Sequence, residues 1–467
     1  MRRIVAIARQ EVVSVLQTRM VLPAGAMLTA ILLVSAVLGW QKHATLNSAR
    51  SAYAAVMREQ WLNQPDRHPH RVSHYGQVVF RPESPLSYFD FGVNSFAGVS
   101  LYLEPHRQNV SNFSEARQSE GVLRFGELTM AIVLQQIVPL FIVFIGFGSV
   151  SREREDGTLP MLLGQGVTRR ELLLGKSLGL LAVMVLALVP ALALSTPLLA
   201  TVIGSQPAGV LFRTVLLAAA HVAYYASLTM GVVLISYSSR TSRFSLVALL
   251  GLWTLLYVVI PRTLPSLAAQ WHPVPSKAEF DAALEREIRE TGDSHNPADP
   301  HFDHLKQRIL AQYGSDSVEN LPVNWGGIVM REAEVLGAQL FSRHYTNLME
   351  TFAKQNRISE WAGLLDPYLA MRHVSQALSN SSFADYDDFQ QKAEAHRYSF
   401  VQRLNDIHAN EVHFENDRSQ RVSRDHWRDF PDFEYASPGI GWSRTFRGAF
   451  RGAPRRWRRV LCCPGQP

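Results

Sequence analysis

Cysteine is nearly absent from this 467-residue sequence: Cys462 and Cys463, side by side, are the only two. A disulfide scaffold and a thiolate metal centre are both excluded by that scarcity. Charge is missing from five stretches, Met20 to Gln41, Leu128 to Ser151, Ser177 to Phe212, Thr214 to Ser239 and Phe244 to Pro261, none shorter than 18 residues. About 20 apolar residues rising 1.5 Å each cross a hydrocarbon core of roughly 30 Å. The 46 basic and 40 acidic residues crowd into the remaining positions, which gives those positions the charge density of ordinary soluble protein. A mean hydropathy of −0.02 averages these two populations. A wholly soluble protein and a disordered chain are therefore excluded, and five membrane spans joined by water-soluble segments remain. A cleaved signal peptide is the alternative for the first run, but its apolar region would be shorter and nearer the start.

Catalytic signatures are missing as well. Gly175-Lys176-Ser177 has the lysine and hydroxyl of a phosphate loop, yet the first glycine of that motif would fall on Arg170, and the triplet leads into a span. No Gly-x-Ser-x-Gly and no His-Glu-x-x-His occurs. The 16 histidines, among them His68, His70, His74, His295, His301, His304, His408 and His413, scatter without a tight pair of ligand couples, so they read as solvent-exposed loop residues and no metal centre is expected.

Positive charge fixes an orientation. Residues 1–261 carry 21 basic and 13 acidic residues, 262–435 carry 18 and 27, and 436–467 carry 7 and none. This division speaks for a membrane and against nucleic acid. Arg2, Arg3, Arg9 and Arg19 precede the first run, Arg152, Arg154, Arg169, Arg170 and Lys176 separate the second from the third, and Arg240 and Arg243 separate the fourth from the fifth. The positive-inside rule then places the N-terminus in the cytoplasm and residues 41–127 and 261–435 outside.

The expected organisation follows: an amphipathic interface helix over 1–20, with apolar Ile4, Ile7, Val12 and Val15 at helical spacing; a first span over 21–40; an outer segment over 41–127, helix-like from Thr45 to Leu62; a second span over 128–150; a cytoplasmic loop over 151–176; third to fifth spans over 177–260; and an acidic outer domain over 261–435. The last should fold alone between about Pro273 and Asn416, with helices over Lys277–Thr291, His304–Tyr313, Asn324–Arg357, up to Leu378, and Asp385–Asn416. The fold class is all-α, a polytopic helical membrane protein with a large helical extracytoplasmic domain.

The cytoplasmic loop is the most informative stretch. Gly157 and Thr158 precede the apolar run Leu159, Met161, Leu162 and Leu163, so Thr158 is read as the cap of a short amphipathic helix, which Gly164 and Gly166 end. Thr168 and Glu171 have the spacing of a capping box that starts a new helix running straight into the third span. A short amphipathic helix on such a rod suits docking into a partner's groove. Leu159, Leu162 and Glu153 are expected to anchor that partner, and Arg154 to be an exposed rim charge. Within the spans, Gln135, Gln136 and His221 are candidates to face the bundle interior, because lipid cannot satisfy polar groups.

The N-terminal helix with Glu11, together with Glu153, Glu155, Gly157, Thr158, Leu159, Arg170, Glu171, Leu172, Gly175 and Lys176, resembles the membrane subunits of type-2 ABC transporters. Pro85 to Asp90, Leu321 to Asn324, Glu334, Leu365-Asp366-Pro367, Ser375 and Phe389 are similar to a bacterial subgroup with a large extracytoplasmic insertion of unknown function. The resemblance implies a permease subunit of the bacterial inner membrane that binds no ATP itself. It would pair with a second permease subunit, identical or not, and with an ATP-binding-cassette ATPase, and residues 153–176 would act as the coupling loop. Other classes consistent with the sequence are a membrane-anchored sensor or assembly factor and an extracytoplasmic metallo-hydrolase. The family pattern further implies a sixth span after Phe430-Pro431. Residues 436–467 hold instead seven arginines among Gly, Pro, Trp and Cys, the composition of a GC-rich gene read in a shifted frame. The segment is read as a frame change near Ser437, or else as the basic tail of a true five-span variant.

Overall fold

The computed structural model describes residues 1–98, 100–109, 128–203, 207–293, 295–296 and 298–437. All but the first two residues of the basic tail lie outside that set. Helix makes up 73% of the structure, and among the described residues the only sheet is the antiparallel pair β1 (Gln77–Phe80) and β2 (Ser100–Leu103), with Val79 opposite Leu101. The chain is all-α, as its sequence pattern requires.

Helix α1 (Arg2–Leu16) turns Val15 and the half-buried Ile7 and Val12 toward the bundle. Helix α2 (Val21–Leu62) is a single 42-residue rod. At 1.5 Å per residue it is about 63 Å long, roughly twice the hydrocarbon thickness. Its first half can therefore span a membrane while the second half, bearing Arg50, Arg58 and Glu59, stands clear of it. The short α3 (Pro69–Ser73) follows. The remaining apolar helices are α4 (residues 130–146), α7 (Arg169–Val202), α8 (Pro207–Ser238) and α9 (Ser242–Trp271). The short α5 (Ser151–Glu155) and α6 (Thr158–Gly164) lie between α4 and α7. Among the described residues, five helical segments are long and apolar enough to cross a membrane, matching the five uncharged runs. Their outward faces carry exposed Leu22, Val34, Leu186, Val189, Val215 and Val247, a surface that water would not tolerate on this scale and lipid does.

Helix α4 contains a π-helical turn at Val133–Ile137, immediately before Pro139. Proline supplies no N–H and crowds the carbonyl four residues earlier, so nearby carbonyls lose their helical partners. Side chains of neighbouring helices replace them: Tyr225 Oη donates to the Leu134 carbonyl at 3.0 Å, Tyr224 Oη to that of Gln135 at 2.8 Å, and Trp253 Nε1 to that of Gln136 at 3.2 Å. These three bonds give carbonyls beside the proline new partners and fasten α4 to α8 and α9.

At the opposite end from α6, helices α10 (Lys277–Arg289), α11 (Asp303–Tyr313), α12 (Trp325–Ala362), α13 (Pro367–Leu378), α14 (Phe383–Glu411) and α15 (Asp425–Arg428) form the large domain. It is not built from residues 261–435 alone. Trp61 of α2 packs among Phe400, Trp427 and Phe430 and donates Nε1 to the Trp427 carbonyl at 2.8 Å. Val79, Leu101 and Leu103 of the hairpin pack on Phe389 and Ala393. The two outer segments share one core, because each alone would leave an apolar face bare. Helix α13 joins this body to the bundle. Asp366 caps its start, Tyr368 Oη accepts from Gln136 Nε2 at 2.6 Å, and Ser375 Oγ donates to the buried Asp90 at 2.5 Å.

Candidate functional site

Three consecutive charged side chains of α5, Glu153, Arg154 and Glu155, reach three different helices. On a helix, successive residues point about 100° apart, so adjacent residues fan outward. Glu153 pairs with Lys176 Nζ on α7. Arg154 donates Nη2 to the Tyr237 carbonyl at 2.6 Å and Nη1 to the Ser239 carbonyl, at the C-terminal end of α8. Glu155 accepts from the Ser242 N–H at 3.1 Å and its hydroxyl at 2.5 Å, at the start of α9. A cation on terminal carbonyls and an anion on initial amides are the arrangements that the partial charges of helix ends favour. Arg154 is consequently part-buried and structural, where the sequence reading expected an exposed rim charge.

Lys176 extends the network to the N-terminal helix. Its Nζ lies 2.6 Å from Glu11 Oε2, and Ser149 Oγ donates to Glu11 Oε1 at 2.6 Å. Both Glu11 and Lys176 are buried, so α1 is locked onto α7 by charge as well as by apolar contact. A Cβ added at Gly175 would come 2.6 Å from the Ile7 Cβ, and one at Gly179 would come 2.6 Å from the Glu11 Cβ. Glycine at these two positions is what lets the helices cross this closely. Gly175, read from sequence as part of the coupling loop, is a helix-crossing residue.

The outward surface of the loop is different chemistry. Gly157, in the left-handed region at φ 75°, is the N-cap of α6, and Thr158 is its first helical residue with Oγ1 donating to the Glu153 carbonyl at 3.1 Å. Thr158 therefore does not cap α6, since the turn geometry that only glycine adopts without strain does so. Leu159, 6% exposed, belongs to the bundle core, Leu162 and Leu163 pack half-buried against it, and Met161 is 65% exposed. The expected anchors Leu159 and Glu153 thus face inward, and Pro160 and Met161 with Thr158 form the outer face. The capping box is present: Thr168 Oγ1 accepts from the Glu171 N–H at 3.2 Å and the Glu171 carboxylate accepts from the Thr168 N–H at 3.0 Å. Helix α7 then continues without interruption into the bundle, and Arg3 Nη1 donates to the Gly166 carbonyl at 2.6 Å.

Among the intramembrane polar candidates, Gln136 bonds Tyr368. Gln135 and His221 are both buried. His221 Nδ1 meets the Leu217 carbonyl of its own helix at 2.9 Å, while its Nε2 and the Gln135 Nε2 have no hydrogen-bond partner. They are interior groups with hydrogen-bonding capacity to spare.

Not every histidine is a scattered loop residue. His70, His74, His106 and His295, from three separate segments, bring one ring nitrogen each to within 4.8 Å of the others. His301, read from sequence alongside His295, turns instead to Asp299 at 2.6 Å. His68, His408 and Asp417 form a second group.

Two family models match this chain. A domain of unknown function (DUF3526) covers residues 277–436, and the ABC-2 family transporter protein covers residues 5–298. No curated protein matches it. The second of these models spans the N-terminal helix, all five apolar segments and the charged loop, and the chain accordingly belongs to the ABC-2 transporter family, as a multi-pass membrane permease subunit.

Proposed function

We propose that this subunit is the membrane half of an ATP-driven exporter, and that its loop 151–176 receives a separate ATP-binding-cassette ATPase. The observation that carries the reading is the fan of Glu153, Arg154 and Glu155. A load applied to α5 and α6 is distributed at once to α7, α8 and α9, and through Lys176 to α1. Thr158, Pro160 and Met161 offer the docking face, and α7 is the rod that carries displacement into the bundle. On this reading the arginine-rich end and the N-terminus face the cytoplasm of a cell whose inner membrane holds the protein, an orientation that the positive-inside rule supports. Two such subunits, identical or paired with a second permease, would enclose a substrate path to which Gln135, Gln136 and His221 contribute. Co-purification from detergent-solubilised membranes tests the reading. The ATPase is expected to accompany the native chain and to be lost from Met161→Asp. Equal recovery with both, or no ATPase with either, refutes it.

A further inference from the structure

Four imidazoles converge at the end of the molecule remote from the charged loop. His70 and His74 stand one helical turn apart, the first within α3 and the second at its C-cap, and their Nε2 atoms face each other at 3.1 Å. In a tetrahedral zinc shell with metal–nitrogen bonds of about 2.05 Å, neighbouring nitrogens are about 3.3 Å apart. His106 follows β2, and His295 lies in the connection between α10 and α11. Ring centroids of the four lie between 4.6 and 6.4 Å from one another.

The surroundings of each ring go beyond chance proximity. His68 Nδ1 accepts from the His70 N–H at 3.2 Å and so caps α3, which fixes the pair that follows. His106 has φ 59°, a left-handed conformation rare in a residue with a side chain. That strained backbone is held from both sides: Arg397 Nη1 donates to the Glu104 carbonyl at 3.1 Å, and the His106 N–H donates to Glu334 Oε2 at 3.2 Å. His106 Nε2 is buried with no hydrogen-bond partner. An unpartnered buried nitrogen is costly, and its presence in a strained loop points to a missing ligand. Asp293 Oδ1 accepts from the His295 N–H at 2.9 Å and lies 3.5 Å from its Nδ1, so a carboxylate stands beside this ring, as carboxylates commonly do beside metal-ligating histidines. Beneath His106, fully buried Arg397 bonds both Glu334 at 2.6 Å and Glu394 at 2.8 Å, two carboxylates to one cation.

We propose that His70, His74, His106 and His295 form a binding site for one divalent transition-metal ion of the zinc class in the outer domain. Imidazole nitrogens select zinc, copper, nickel or cobalt over calcium and magnesium, which prefer oxygen. Four protein ligands complete a tetrahedral shell, so the ion acts as a staple that fixes α3 and the α10–α11 connection to the hairpin. The second group, His68, His408 and Asp417, makes no comparable case. His408 and Asn324 already bond Asp417, at 2.6 and 2.7 Å.

The test uses the full chain in detergent, purified without a polyhistidine tag and stripped with chelator. Cobalt(II) is added while visible absorption is recorded, and zinc(II) is then added to displace it. One equivalent per chain is expected, with the strong absorption of tetrahedral cobalt that zinc abolishes. His106→Gln and His295→Gln are each expected to weaken binding by at least the roughly 100-fold that loss of even a supporting group can cost. His301→Gln and His304→Gln should bind as the native chain does. His295 is exposed, so its substitution leaves the core intact, and circular dichroism checks that. Absence of stoichiometric uptake would overturn the proposal. So would uptake unchanged in folded His295→Gln, or lost only with His408→Gln.

Discussion

Lys176 Nζ lies 2.6 Å from the Glu11 carboxylate where α1 crosses α7, with both side chains buried. Removing one member of such a pair strands the other charge. Lys176→Met leaves Glu11 and Glu153 without their cation, and is expected to destabilise the chain by about 3–5 kcal/mol. Glu11→Gln with Lys176→Met is expected to cost less than the two single changes added together. Thermal unfolding of the three variants in one detergent checks this, and strict additivity would count against the pair as a coupled unit.

Inward and outward residues of α6 should separate cleanly. Met161→Asp, on the exposed face, is expected to alter stability by no more than about 0.5 kcal/mol. ATPase retention should nevertheless fall at least about fivefold, the loss of roughly 1 kcal/mol at an interface anchor. Leu159→Ala should do the reverse first, lowering stability by about 2–5 kcal/mol through the cavity it opens. Quantitative pull-down beside thermal unfolding distinguishes the two.

Gly179→Ala tests the helix crossing by its sign. Helix propensity alone would favour alanine by about 1 kcal/mol. The added methyl, however, meets the Glu11 Cβ at 2.6 Å and the Ala8 carbonyl oxygen at 2.8 Å, and overpacking of that kind costs about 1–3 kcal/mol. A net loss of stability is expected, together with protease sensitivity near residue 17. A gain would mean that α1 is free to move away.

The composite outer body makes the fragment Pro273–Asn416 a poor folding unit, contrary to the expectation from its composition. It lacks Trp61, Val79, Leu101 and Leu103 as well as Trp427 and Phe430. Its thermal unfolding is expected to be broad and non-cooperative. In the full chain, Trp61→Ala should cost about 3–5 kcal/mol. A sharp transition in the isolated fragment would restore the simpler division.

Periodicity and charge carried much of this protein in plain view. Five uncharged runs become the five apolar segments, because a segment in hydrocarbon must hydrogen-bond within itself and has no place for ions. Capping also acts between near neighbours, so Thr168 with Glu171 and the outer helices beginning near Lys277, Asn324 and Asp385 could be read to within a few residues. Pairing over distance could not. Nothing local links Glu11 to Lys176, Trp61 to Trp427 or Arg397 to Glu334, and only tertiary packing turned Leu159 and Arg154 inward while leaving Met161 outside. The histidines show the division most sharply. The one-turn spacing of His70 and His74 was in the sequence, but His106 and His295 join them only because the hairpin and the α10–α11 connection fold over α3. Local rules act across one helical turn, whereas a site assembled from distant segments exists only after chain entropy has been overcome by the burial of a shared core.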